Sequence, residues 1–311
     1  MRRFRFFGVV LLLPALALPF FAAGCGGKGN EGKRASRRPP KDDDDDDDVK
    51  KGDKKDGSDG AGDGDKTALA TTGWGTLQGQ VTLDSNVPAG ASFDDKMKNN
   101  KDKVVCLMGP KSDQTWLLSK DGKKRVQNVV VWLDPGPGKY FKVDPSKKTW
   151  KDEVFIDQPH CAFEPRVQAV FPKYFDGKAW VKGQTFVIKN NAPIAHNTSW
   201  KGGDKTNPGG NPLIAPKTQT TLNLEPDTKT VVNLSCTIHD WMRGKVWALD
   251  NPYFAVTDEN GKFEIKNVPA GAEVTMIAWH EANGFVKTLA NGGKVKIEDG
   301  KGWVFNFTLT P

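Results

Sequence analysis

The chain of 311 residues is long enough for two domains, and its formal net charge of +7 is the balance of 45 basic and 38 acidic side chains. The lysines lie mostly in turns beside Gly and Asp and do not alternate with aromatic residues, so nothing points to a nucleic-acid partner. The net positive charge indicates at most a weak preference for an acidic partner surface. Because no Ser-His-Asp set, carboxylate pair or phosphate-binding loop is defensible, we do not expect an enzyme.

Residues 1–24 are predicted to be an export signal. Basic residues precede the apolar run Phe6–Ala23. This run is short for a membrane-spanning helix, and prolines interrupt it. Cys25 follows Ala-Ala-Gly, which resembles a bacterial lipobox. Cys25 would then be lipidated and would anchor the protein to a membrane of the cell envelope, facing the periplasm or the exterior. The alternative is an ordinary signal peptide followed by an incidental cysteine.

Residues 25–72 are predicted to be a disordered, charged linker. It contains the unbroken acidic run Asp42–Asp48 and few apolar residues, so burial cannot offset the entropy cost of ordering it. We expect a solvated tether, and a calcium-binding role for the acidic run is the alternative.

Residues 73–311 are predicted to be all-β. Short β-branched and aromatic runs recur between turns rich in Gly, Pro, Asn and Asp, without sustained helical periodicity, which indicates β-sandwiches. The runs are Leu77–Leu83, Val126–Leu133, Glu153–Asp157, Val167–Phe171, Gln184–Lys189, Thr230–Ser235, Lys245–Leu249, Phe254–Thr257, Lys262–Lys266, Glu273–Trp279, Lys294–Ile297 and Val304–Leu309.

Two folded units are expected, with a boundary near Pro252. The first spans 73–250, has its core at 167–250 and carries every candidate ligand. The second spans 251–311 and, at about 60 residues, is small for an independent core. It therefore either shares a sheet with the run Leu77–Leu83 or docks on the first unit.

The densest chemical signal is the stretch from Cys236 through His239 to Met242. A thiolate, an imidazole and a thioether stand close together there, and this set suits copper better than zinc, calcium or magnesium. His196, after a strand-like run and a turn, is the fourth candidate, and Gly244 lets the chain turn into the next strand. Taken singly, these residues would more often be a turn histidine, a buried small hydrophobe and a core methionine.

Two segments resemble the copper-binding segments of plastocyanins and amicyanins. Lys189-Asn-Asn-Ala-Pro-Ile-Ala-His196-Asn197 looks like their first-histidine segment. Cys236-Thr-Ile-His239-Asp-Trp-Met242-Arg-Gly244-Lys245-Val246 is similar to their ligand loop, with the two-residue gaps of amicyanin. The resemblance covers roughly 167–249. The long Gly- and Lys-rich segment Trp200–Asn211 and the large region before Val167 depart from a minimal member of the family.

The resemblance implies a cupredoxin-like Greek-key β-sandwich that binds one type 1 copper ion. By position, His196, Cys236 and His239 would be the equatorial ligands and Met242 the axial one. Asn197 would tie the two ligand segments together by hydrogen bonds. The solvent-side edge of His239 would be the electron port.

Cys106 and Cys161 remain once Cys25 is assigned to lipid and Cys236 to metal. In an exported chain, a disulfide between them is the default. The alternative is that His160 and Cys161 belong to a second metal site.

The segment Asn251–Gly271 resembles a carboxypeptidase regulatory-like β-sandwich repeat, which implies a small non-catalytic β domain over 251–311. His280, after a strand, is expected to be structural, with a metal-ligand role as the alternative.

The resulting hypothesis is a membrane-tethered blue-copper protein that exchanges single electrons with redox proteins such as envelope cytochromes or oxidoreductases. Two alternatives are a copper-binding or copper-trafficking envelope protein without a redox role, and a metal-free adhesion or carbohydrate-binding β-sandwich protein.

Overall fold

The structure is a computed structural model that describes residues 66–148 and 152–311. Of these residues, 42% lie in strands, which form several sheets, and 6% lie in helices, so the predicted all-β sandwich class is confirmed. The predicted export signal 1–24, Cys25 and the predicted linker as far as residue 65 lie outside the described residues. Within them, no helix is both long and apolar enough to cross a membrane.

The first strands are Thr67–Ala68 (β1), Gly73–Leu83 (β2), Val130–Asp134 (β3), Lys139–Tyr140 (β4), Glu153–His160 (β5), Ala162–Glu164 (β6), Val167–Val170 (β7), Lys173–Phe175 (β8), Trp180–Lys182 (β9), Thr185–Asn190 (β10), His196–Asn197 (β11) and Ser199–Lys201 (β12). The others are Leu213–Ile214 (β13), Thr218–Leu222 (β14), Val232–Ser235 (β15), Arg243–Ala248 (β16), Phe254–Val256 (β17), Lys262–Ala270 (β18), Glu273–His280 (β19), Gly284–Phe285 (β20), Lys294–Lys296 (β21), Gly302–Val304 (β22) and Phe307–Leu309 (β23). The helices are Asp94–Lys98 (α1), Lys103–Cys106 (α2) and Pro145–Lys148 (α3), with a 3-10 helix at Ala290–Gly293.

The first sandwich holds the candidate ligands. One sheet has the order β14-β10-β5-β6 and the other β12-β15-β16-β7. Alternate residues of both sheets, such as Ile188 of β10, Leu234 of β15 and Val246 of β16, are buried in one apolar cluster. The candidate ligands Cys236 and Met242 belong to the same cluster and lie in the loop that joins β15 to β16, so the site lies at the loop end of these strands.

The second sandwich combines strands from both ends of the described chain. One sheet runs β17-β3-β19-β20 with β21 beside β19, and the other runs β18-β2-β22 with β23 beside β2. Its core takes Leu77 and Val81 from β2, Val131 from β3, and Phe263 and Ile265 from β18. Strands before the first sandwich therefore pair with strands after Pro252. Of the two arrangements expected for the segment 251–311, the structure shows the sheet shared with the run Leu77–Leu83.

The fold also begins before residue 73. Thr67–Ala68 (β1) pairs in parallel with β4, and Leu69 is buried in the core of the second sandwich. The last residues of the predicted linker therefore belong to the fold, because Leu69 offers apolar surface that the preceding acidic stretch lacks.

Two strands buried on both faces join the sandwiches. In β3, Val131 faces the second core while Trp132 faces an interface cluster, and in β16, Val246 faces the first core while Trp247 faces the same cluster. The Trp132 and Trp247 rings lie 4.9 Å apart between their centroids. Because side chains alternate along a strand, each of these strands serves two cores, which explains the apolar runs Val130–Leu133 in β3 and Val246–Ala248 in β16.

A short helical cover lies over the first sandwich. It comprises residues 93–109 with α1 and α2, and its Met97 and Cys106 are fully buried in the same cluster as the candidate ligands. These helices of four and five residues are too short to produce the periodicity by which a helix is predicted from sequence.

Candidate metal centre

The candidate ligands come from two segments fixed by strand pairing. His196 and Asn197 form β11, which pairs with β13, and Cys236 directly follows β15. Ser235 pairs with Arg243 across the hairpin β15–β16, so residues 236–242 form the connecting loop. Hydrogen bonds from the Met242 N–H to the His239 carbonyl (3.0 Å) and from the Cys236 N–H to the Met242 carbonyl (3.4 Å) close this loop.

Three donor atoms converge at the site. His196 Nδ1 lies 3.2 Å from His239 Nδ1 and 4.0 Å from Cys236 Sγ, and Cys236 Sγ lies 3.8 Å from His239 Nδ1. Three ligands arranged around one ion, at bonds of roughly 2.0 Å to nitrogen and 2.3 Å to sulfur, would stand about 3.5–3.8 Å apart. The three residues therefore form a buried group that could bind a metal ion, and the donor spacing fits a single ion.

Met242 is buried (1% exposed), and its backbone is held by the loop hydrogen bonds to His239 and Cys236. Its assignment as a weak axial ligand stays a prediction from the resemblance.

Asn197 joins the two ligand segments through its side-chain oxygen. Oδ1 accepts hydrogen bonds from the Thr237 N–H (2.9 Å) and the Thr237 hydroxyl (3.1 Å), and Cys236 Sγ lies 3.2 Å away. Asn197 Nδ2 in turn donates to Asn211 Oδ1. The Asn197 amide therefore links the segment that carries His196 to the loop that begins at Cys236. Its role as a support for metal ligands stays a prediction from the resemblance.

Burial keeps both histidines ready to bind metal. His196 and His239 are fully buried. Burial lowers the pKa of His196 to about 4, and the neighbouring His239 adds to this shift. Burial also lowers the pKa of His239, although the hydrogen bond that its ring donates to Asp102 acts in the opposite direction. A metal ligand must be a neutral imidazole, so desolvation favours the competent form of both side chains near neutral pH.

The outer edge of His239 is not at the surface, which overturns the expected solvent-side electron port. His239 Nε2 lies 3.1 Å from Asp102 Oδ2, and the cover lies over this edge of the ring. Trp241, also nearly buried, donates its indole N–H to the Cys161 carbonyl (3.1 Å). The long region before residue 167 supplies this covering layer.

Cys106 and Cys161 form a disulfide, which ties the cover to the end of β5. Their sulfur atoms lie near a His239 ring nitrogen, but disulfide sulfurs are not thiolates and do not make this group a metal site. His160 Nε2 instead pairs with Glu164 Oε1 at 3.0 Å. The structure thus gives no support to a second metal site built on His160 and Cys161.

His280 is buried at the end of β19 and does not belong to the group of His196, Cys236 and His239. Its ring lies 4.2 Å from that of Trp116, and its Nδ1 accepts the Ala282 N–H at 3.3 Å. Among residues 66–148 and 152–311, no group of His, Cys, Asp or Glu with metal-binding spacing includes it. These contacts favour the structural role over the ligand role.

The chain matches no protein-family model, and no curated protein matches it. Sequence reasoning missed Asp102, which contacts His239 from 137 positions away, and Asn211, which contacts Asn197. Neither residue lies in a motif, so no local pattern could have identified it.

Proposed function

We propose that the protein is a cupredoxin-type copper protein that binds one type 1 copper ion and carries single electrons in the cell envelope, tethered to a membrane. The observation that carries the proposal is the buried set of His196 Nδ1, Cys236 Sγ and His239 Nδ1, all within 4.0 Å of one another. Two imidazoles and one thiolate are the equatorial ligands of electron-transfer copper sites, and a buried methionine follows in the same loop.

The protein's own residues account for the expected behaviour of such a site. When bound, copper supplies a couple that differs by one electron, Cu(II) to Cu(I), so the partner loses or gains that electron and no bond to substrate forms. Cys236 must release its thiol proton to bind, whereas the neutral His196 and His239 release none. Asn197 and the hairpin hold the three side chains in place, which limits the rearrangement that accompanies a change of charge. Burial excludes water as a competing ligand.

The burial of His239 favours a second candidate, a copper-binding or copper-trafficking protein without a redox role. A partner that docks above the ligand loop would meet Asp102 and the cover instead of an exposed imidazole edge. Rapid electron exchange would then need a path through the covering residues. A metal-free adhesion or carbohydrate-binding protein gains no comparable support, because no such ligand explains a buried His-Cys-His group.

Adding Cu(II) to the purified protein separates these functions. The proposed site gives one copper per chain with an intense visible thiolate-to-copper charge-transfer band and a narrow copper hyperfine splitting. Cys236→Ala should abolish that band, while His280→Gln, which changes a buried histidine outside the site, should keep it. Persistence of the band in Cys236→Ala contradicts the ligand assignment. Copper binding without the band supports the second candidate, and absence of binding supports the third.

Electron transfer needs its own measurement. The copper-loaded protein should be reduced and reoxidised reversibly by a one-electron mediator or a cytochrome, with the band lost and regained in each cycle. A blue protein that exchanges electrons only over many minutes would favour storage over electron carriage.

A further inference from the structure

We propose that Asp102 is a positioning residue for the metal centre: it fixes the orientation and tautomer of His239 and stabilises the more highly charged state of the bound metal. The inference rests on the proposed copper function and deepens it. In the described part of the chain, Asp102 is the carboxylate placed against a candidate ligand.

The two ring nitrogens of His239 face different partners. Nδ1 lies 3.2 Å from His196 Nδ1 and 3.8 Å from Cys236 Sγ, on the metal side, whereas Nε2 lies 3.1 Å from Asp102 Oδ2. An ionised carboxylate only accepts hydrogen bonds, so this contact places the single proton of a neutral imidazole on Nε2. The lone pair of Nδ1 is then free for a metal ion, and the ring cannot rotate without breaking the bond.

Asp102 is itself held in place by the cover. Its N–H donates to Asn100 Oδ1 (2.9 Å), and its carbonyl accepts the N–H of Cys106 (3.1 Å) at the end of α2. Cys106 is cross-linked to Cys161, whose carbonyl accepts the Trp241 indole N–H. The backbone of Asp102 is therefore connected, through the disulfide, to Trp241 of the ligand loop. These contacts hold the carboxylate in place beside His239.

The charge of Asp102 has a consequence that its hydrogen bond alone would not have. Its side chain is 19% exposed and the His239 ring is fully buried, so solvent screens their interaction only weakly. A fixed negative charge next to a ligand favours Cu(II) over Cu(I), because Cu(II) carries one more positive charge. Removal of that charge should therefore weaken Cu(II) binding more than Cu(I) binding and raise the reduction potential.

Asp102→Asn and Asp240→Asn form a matched pair for the test. Both remove one negative charge near the ligand loop, but Asp240 pairs with Lys96 at 2.7 Å and is 63% exposed. Partners of metal-ligating histidines typically contribute 10–100-fold to metal affinity. For Asp102→Asn we expect a roughly tenfold weaker preference for Cu(II) over Cu(I), which is an upward potential shift of about 59 mV. For Asp240→Asn we expect a shift several times smaller. Equal shifts in the two variants would overturn the proposal.

A metal-free readout keeps this proposal separate from the copper function. In the metal-free protein, 15N NMR of the imidazoles should find the His239 proton on Nε2. Asp102→Ala should give a mixture of tautomers while His280 keeps its signals. An unchanged His239 tautomer in Asp102→Ala would refute the positioning role, whatever the wild type does with copper. If the wild type shows the expected His239 tautomer but no thiolate-to-copper charge-transfer band, only the proposed function is refuted.

Discussion

At the scale of single residues, burial determines how the histidines behave. His196, His239 and His280 are all fully buried, and burial lowers the pKa of each, to about 4 for His196 and His280. The lowered pKa values favour the neutral form of all three buried imidazoles. The same desolvation that keeps two imidazoles neutral for a metal keeps His280 neutral beside the ring of Trp116.

The lowered pKa of His280 predicts a pH-dependent stability. Between pH 6.5, the ordinary value, and pH 4, the unfolded chain binds a proton at His280 that the folded chain does not. The contribution of neutral His280 to the free energy of unfolding is therefore fully present above pH 6.5. It decreases as the pH is lowered through this window, by up to about 1.4 kcal/mol per pH unit for one histidine. Urea unfolding of metal-free protein at several pH values should show a shallower decline in His280→Gln than in the wild type. Parallel curves would contradict the prediction.

At the scale of elements, the cover and the ligand hairpin act together. The cover holds Asp102 against His239, and the hairpin β15–β16 holds Cys236, His239 and Met242 in one closed loop. The disulfide between Cys106 and Cys161 is the covalent link between the cover and the first sandwich. Because α1 and α2 are too short to be stable alone, their position depends on this link and on the burial of Met97.

Removal of the disulfide should destabilise the protein measurably. The two cysteines are 55 positions apart, and a cross-link of that length contributes about 4 kcal/mol by restricting the unfolded chain. The double variant Cys106→Ser/Cys161→Ser should lose about 2–4 kcal/mol in urea unfolding. Wild-type protein reduced by a dithiol is the matched control and should behave alike. Unchanged stability in both would show that the cover is held by packing alone.

Sequence patterns predicted what is local and missed what is distant. The loop from Cys236 to Met242 is contiguous, and His196 lies in a segment with its own resemblance, so sequence alone indicates the residues that the structure groups as His196, Cys236 and His239. The contact between Asp102 and His239 spans 137 positions and follows no periodic pattern. The pair Cys106 and Cys161 was predicted by counting the cysteines of an exported chain, whereas nothing in the sequence placed the pair beside the ligand loop.

At the scale of the whole molecule, the second sandwich needs strands from both ends of the described chain and packs against the first. Strands β2 and β3 precede the first sandwich in sequence but pair with β18 and with β17 and β19 of the second. The cluster around Trp132 and Trp247 then joins the two cores. The sequence could anticipate two sandwiches from the number of strands, but a sheet built from both ends of the chain needs long-range pairing that periodicity does not encode.

The pairing of β2 and β3 with strands after residue 250 predicts the outcome of truncation after Asp250. The shortened chain leaves β2 and β3 without their partners and exposes the apolar face that includes Leu77 and Val131. We expect a fragment without cooperative thermal unfolding and without a dispersed amide NMR spectrum. Addition of residues 251–311 as a separate chain should restore some of both. A fragment that folds and binds metal unaided would instead establish an independent unit at 73–250.

The location of the metal tests the central claim most directly. Crystals of the copper-loaded protein, measured at the copper absorption edge, should give one anomalous peak within bonding distance of His196 Nδ1, Cys236 Sγ and His239 Nδ1. The nitrogen distances should be roughly 2.0 Å and the sulfur distance roughly 2.3 Å, as in zinc sites with the same donors. A fully loaded crystal with its copper peak elsewhere, and with these three side chains free of metal, would contradict the account.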